Sequence, residues 1–194
     1  VCHMDNRHDI LQLLRQVADG SSTPEEALSR LKREPFEDLG YAKVDLHRGI
    51  RQGAAEVIYG AGKTPEQIAG IAGAMGERGC KNVLITRIAP EAADLVARSL
   101  PLDYYPIPRL AVAFPGERRT LGHIVVATGG TSDMPVAEEA ALTAEVLGNR
   151  VTRLYDVGVA GLHRLLASLE PLMDARCVVA AAGMEGALAS VIGG

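Results

Sequence analysis

The strongest constraint on the fold is an alternation that begins at residue 124. Residues 124–127 (IVVA), 150–155 and 177–181 read as strands, and the first is wholly apolar. Residues 135–147, residues 161–169 and a stretch opening near Ala187 have helical pattern and length. A short, wholly apolar run suits a strand buried on both faces. Strand–helix alternation then dictates a parallel sheet with right-handed crossovers and helices on both sides. Residues 119–194 are therefore expected to form a three-layer αβα unit in an α/β protein. The sequence stops at Gly194, just as the last helix starts, where a doubly wound sheet is expected to continue.

Residues 1–118 follow a looser pattern, that of a smaller α+β N-terminal domain. Val1–Met4 (VCHM) read as an expression remnant and not as a natural start. Residues 5–35 predict two short helices, with Ile10, Leu11, Leu13, Leu14 and Val17 near helical spacing. Thr23-Pro24-Glu25-Glu26 opens the second with a capping box. Strands are expected over 42–46, 56–59, 82–86 and 103–107. Helices are expected from Lys63-Thr64-Pro65-Glu66 to about Arg78, and over 90–99. Pro106, Pro108, Pro115 and Gly116 mark loop, and the domain boundary falls within 116–119.

Several function classes drop out on composition. The chain has 194 residues and a net charge of −4 with scattered basic residues, which does not fit a nucleic-acid partner. No apolar run reaches membrane-spanning length, no signal peptide opens the chain, and a cytoplasmic location is expected. The three cysteines, Cys2, Cys80 and Cys177, have no paired spacing. Neither a disulfide framework nor a zinc site is expected, and Cys80 and Cys177 read as small buried residues.

Ligands of an open parallel sheet bind beyond the carboxyl ends of its strands. Three loops occupy that edge: 128–134, 156–163 and 182–188. In the first, Gly129 and Gly130 let the backbone approach a ligand, and Thr131, Ser132 and Asp133 precede a helix. They read either as plain helix caps or as part of a phosphate or carboxylate site. The spacing is not that of a dinucleotide fingerprint. In the second, Gly158 precedes His163 and Arg164, which read as solvated helix residues or as a proton carrier and a carboxylate fork. In the third, Gly183, Met184 and Gly186 surround Glu185. An acid in so apolar a segment suits proton transfer near neutral pH, because burial disfavours the carboxylate.

Gly60-Ala61-Gly62-Lys63-Thr64 mimics the end of a P-loop, but Val57 stands where that motif needs glycine. ATP hydrolysis there is rejected; Lys63 reads as a loop cation and Thr64 as a helix cap. Arg48 and Arg51 share a helical spacing that faces either solvent or an anion.

Ser132-Asp133, Ala160-Gly161-Leu162-His163-Arg164 and Ala182-Gly183-Met184-Glu185-Gly186-Ala187-Leu188 resemble the ordered motifs of PurE-type aminoimidazole ribonucleotide carboxylases. A wider resemblance, to the LarB family of pyridinium-3,5-biscarboxylic acid mononucleotide synthases, covers nearly the whole chain. It rests on Pro35-Phe36-Glu37-Asp38-Leu39-Gly40, Asp45-Leu46-His47-Arg48, Glu56-Val57-Ile58, Gly62-Lys63-Thr64-Pro65-Glu66, Gly130-Thr131-Ser132-Asp133 and the Gly183–Leu188 loop. The resemblance implies a PurE-like, flavodoxin-like αβα domain assembled as a homo-oligomer, octameric by analogy.

The implied reaction is carboxylation of nicotinic acid adenine dinucleotide at C5 of its pyridinium. CO2 or bicarbonate is co-substrate, and hydrolysis of the phosphoanhydride releases AMP. The product is a precursor of the nickel-pincer nucleotide used in lactate racemase maturation. No organic cofactor and no protein metal site are implied; Mg2+ assistance of anhydride cleavage is left open. Glu185 and Asp133 are the implied catalytic pair, with Gly129, Gly130, Thr131, Ser132, Gly158, His163, Arg164, Gly183, Met184 and Gly186 around the substrate. Ala189 departs from the family's usual proline. The family's nucleophilic cysteine has no counterpart in Cys80 or Cys177 and belongs to a segment beyond residue 194, so residues 1–194 alone are expected to turn over little. The alternatives are a purine-pathway carboxylase, which lacks the N-terminal part, and a non-catalytic nucleotide-binding module.

Overall fold

The computed structural model describes residues 6–33, 36–45, 56–118, 120–184 and 186–194. Helices α1 (Asn6–Ala18) and α2 (Pro24–Arg33) open the chain. The capping box forms as its sequence demands: Glu26 N–H donates to Thr23 Oγ1 at 3.1 Å, and Thr23 N–H donates to the Glu26 carboxylate at 3.0 Å. Strands β1 (Phe36–Asp38) and β2 (Lys43–Asp45) pair as an antiparallel ribbon. The sequence signals only the second of these.

A four-stranded mixed sheet follows. It contains β3 (Ile58–Tyr59), β4 (Val83–Thr86), β5 (Leu102–Tyr105) and β6 (Leu110–Ala113), in the order β3-β4-β6-β5. Helices α3 (Pro65–Glu77) and α4 (Pro90–Ala97) cover one face, packing Ile68, Ile71, Met75 and Val96 against Val83 and Ile85. Strand β6 corrects the expected loop. Its four residues, Leu-Ala-Val-Ala, are all buried and pair on both sides. The prolines around it end strands and start turns; they do not break up the apolar run between them.

The second sheet is parallel throughout. Strand β7 (Gly122–Thr128) is central, flanked by β8 (Asn149–Leu154) and β9 (Cys177–Ala181). Helix α5 (Met134–Val146) lies on one face, where Ala137 and Ala141 meet Val126. Helices α6 (Leu162–Leu166), α7 (Leu169–Asp174) and α8 (Ala187–Gly193) form the other layer, with Leu165, Leu172, Leu188 and Ile192 packed around Ala127. The expected single helix over 161–169 is two short ones, with a turn at residues 167–168. This is the PurE-like three-layer αβα arrangement.

Two cysteine expectations need correction. Cys80 is buried, as the sequence implies, but is disulfide-bonded. Cys177 is exposed, at the start of the edge strand β9. Among the described residues, no helix is long and apolar enough to cross a membrane.

Candidate active site

The chain leaves β7 for β8 on one side and later returns to β9 on the other, with order β8-β7-β9. The carboxyl ends of β7 and β9 therefore flank the switch point where such sheets bind ligands. The two adjacent loops are those holding Gly129–Asp133 and Ala182–Gly186.

Backbone contacts brace this rim. Gly129 N–H donates to Ala181 C=O at 3.0 Å, tying the first loop to the third. Val157 N–H donates to Thr128 C=O at 3.0 Å, and Asp156 N–H donates to Thr128 Oγ1 at 2.9 Å, tying the second loop to the first. Thr128 is fully buried. It opens the first loop motif yet has no place in the expected substrate set. Its only signal is a hydroxyl at the end of an otherwise apolar strand, where a buried polar atom must find a partner. Gly158 sits so close to Gly129 that an added Cβ would stand 2.4 Å from the Gly129 carbonyl oxygen. That contact, and not turn conformation, explains the glycine.

Asp133 ends a short 3-10 turn, Thr131–Asp133, that leads into α5. Its Oδ2 accepts from Gly130 N–H at 2.9 Å, so the carboxylate folds back over its own loop. The position of a Cβ on Gly129 lies 3.4 Å from Oδ2, and that of a Cβ on Gly183 lies 3.9 Å from Oδ1. The structure thus brings Asp133, Gly129, Gly130 and Gly183 together, with the carboxylate between the first and third loops. Thr131 and Ser132 are exposed beside it. Met184 is fully exposed and left-handed at φ 54°, a backbone state that costs a bulky residue energy and recurs at functional sites. Gly186, also left-handed, starts α8.

The second loop contributes differently. Arg164 is held in an ion pair by Asp156, a residue absent from the expected set, so its fork is already engaged within its own loop. His163 is exposed on the first turn of α6. Glu185, Arg48 and Arg51 lie outside the described residues. Thr64 caps α3 in a reciprocal bond with Gln67, as expected, and Lys63 Nζ donates to Tyr59 C=O at 2.8 Å. Cys177 pairs in register with Ile124, whereas the rim residue Ala181 pairs with Thr128. The two ends are four residue steps apart along the strand, about 13 Å at the usual rise.

Residues 36–114 match the family described as LarB/PurE-like N-terminal domain. A protein of Methanocaldococcus jannaschii described as uncharacterised is 32% identical over 199 aligned residues, spanning 95% of this chain and 76% of the relative. The chain belongs to the LarB/PurE-like family, a family of PurE-like carboxylases.

Proposed function

We propose that the protein carboxylates C5 of the pyridinium ring of nicotinic acid adenine dinucleotide and hydrolyses its phosphoanhydride. The products are pyridinium-3,5-biscarboxylic acid mononucleotide and AMP. The observation that carries this reading is the Asp133 carboxylate set between the Gly129-Gly130 turn and Gly183 at the switch point of a LarB/PurE-like chain.

The chemistry sets the order of events. A pyridinium is electron-poor and does not attack CO2. A thiolate first adds to the ring, cancelling its positive charge and making C5 enamine-like. C5 then forms a bond to the CO2 carbon. A base removes the C5 proton, and the thiolate departs as aromaticity returns. Water separately cleaves the anhydride. Glu185 is the base in this reading, and Asp133 is a second acid–base group held by Gly130 N–H. The braced glycine loops seat the ribose and phosphate. The thiol belongs to neither Cys80, which is disulfide-bonded, nor Cys177, at the far end of β9. In this reading the active protein is a homo-oligomer.

The test is incubation of the intact natural protein with the dinucleotide and labelled bicarbonate, with and without Mg2+. Labelled dicarboxylate and AMP in equal amounts are the expected products. Carboxylation of aminoimidazole ribonucleotide instead would transfer the site to the purine-pathway reaction, and binding with neither product would leave a nucleotide-binding module.

A further inference from the structure

We propose that a second site, in the cleft at the carboxyl ends of β3 and β4, binds a phosphoryl group through Lys63, Arg87 and Arg109. The inference stands on the N-terminal sheet and does not rest on the carboxylation reading. The cleft has a volume of ≈ 420 Å3, within the range of small-molecule pockets. Three cationic side chains from three separate elements line it: Lys63 after β3, Arg87 after β4 and Arg109 in the β5–β6 turn. The acidic residues in the first turns of α3 and α4, Glu66 and Glu91, are not among its lining residues.

The backbone is arranged for close approach. Gly60 N–H donates to Thr86 C=O at 2.7 Å, and a Cβ on Gly60 would stand 2.9 Å from that oxygen, so only glycine lets the two strand ends meet there. Parallel β3 and β4 with α3 and α4 form the topology whose carboxyl edge receives ligands. Helix α4 begins with Ala89 as its N-cap and has no side-chain cap, and Ala89 and Ala92 both line the cleft. No side chain caps its first turn, whereas in α3 the Thr64 hydroxyl accepts from Gln67 N–H. Arg87 and Arg109 both hold the left-handed conformation, at φ 55° and 50°. Such strain is retained where the position of a side chain matters.

The cations differ in their commitments. Arg87 is paired with Glu139 of α5 at 3.1 Å, and Lys63 is tethered to the Tyr59 carbonyl. Arg109 has no ion pair or side-chain hydrogen bond among the described residues, so it is the cation most available to an incoming anion. A phosphoryl group matches the set, since a planar guanidinium offers a two-point fork and an ammonium a point charge.

The probes are inorganic phosphate and AMP, titrated calorimetrically into the intact protein against chloride at equal ionic strength. Saturable binding of phosphate beyond chloride is expected. Arg109→Gln and Lys63→Gln should each weaken it about tenfold or more, as loss of a charge-assisted bond implies. Arg150→Gln, which removes an exposed arginine of β8 that pairs with Asp174, should leave it unchanged. AMP that binds more tightly than phosphate and loses affinity in Arg109→Gln assigns the group to a nucleotide. AMP binding indifferent to Arg109→Gln, with phosphate binding lost, assigns the site to free phosphate. Phosphate no better than chloride, or equal phosphate affinity in wild type and both glutamine variants, overturns the site. Melting curves establish that the variants are folded before titration.

Discussion

Gly158 has no side chain because the Gly129 carbonyl occupies the place where one would go, 2.4 Å from a built Cβ. The neighbour is backbone, so it cannot rotate away; Gly158→Ala must push the second loop off the first. A cost of about 1–3 kcal/mol is expected, typical of overpacking. Gly183→Ala is the matched control, because its Cβ would make only an ordinary 3.9 Å contact with Asp133. Urea denaturation of both variants checks the contrast, and equal stabilities would mean the rim is not braced as described. Asp133→Asn separates charge from structure. The amide oxygen can still accept from Gly130 N–H, so stability should change by less than about 1 kcal/mol while carboxylation falls roughly 100-fold or more. Activity within a few-fold of wild type would remove Asp133 from the chemistry. Asp133 and the glycines were legible because they carry turn and capping chemistry in the local sequence. Thr128 and Asp156 were not, since their roles depend on partners 28 and 8 residues away in the chain.

Helix α5 does the work of two interfaces. Ala137 and Ala141 face the parallel sheet, while Leu142 and Val146 face Leu84, Leu110 and Val112 of the mixed sheet. Small residues on one side and large ones on the other give no single apolar stripe, as expected of a helix buried on opposite faces. Leu142→Ala should cost about 2–5 kcal/mol through the cavity it leaves between the sheets. A third side of α5 is polar: Arg153 of β8 binds Glu138 and Glu145, and Tyr155 Oη donates to Glu138 at 2.8 Å. Burial, then the bond to the Glu138 carboxylate, pushes the Tyr155 phenol from its ordinary 10.0 up to about 12. The fold thus favours neutral Tyr155. Its contribution is complete below about pH 10 and is lost as pH rises through about 12. The gap in melting temperature between wild type and Tyr155→Phe should therefore shrink above pH 10; a constant gap would show that the phenol is not linked to folding. Element type was legible where periodicity was clean, as in α3, α5 and β7. It failed for β6, where prolines close to an apolar run masked a strand whose pairing partners, β4 and β5, are set by the tertiary fold.

At the scale of the molecule, the shared helix predicts how the protein comes apart. The exposed face of the mixed sheet would be apolar without α5, since Leu84, Leu110 and Val112 all point there and all are buried by Leu142, Val146 and Tyr105. The Arg87–Glu139 pair crosses the same seam. Neither sheet keeps its cover if the other releases α5, so the two should unfold in one transition although the sequence divides them near residues 116–119. The tyrosines make this measurable: Tyr41, Tyr59, Tyr104 and Tyr105 precede that division, Tyr155 follows it, and there is no tryptophan to obscure them. Tyrosine fluorescence thus reports mainly the first part, whereas far-ultraviolet circular dichroism reports every helix and strand. Urea curves from the two probes should superimpose with one midpoint, and in Leu142→Ala they should move together to lower urea. A dichroism curve with a second step that fluorescence lacks would show that the parallel sheet holds without the mixed sheet, and α5 would then belong to one unit and merely rest against the other.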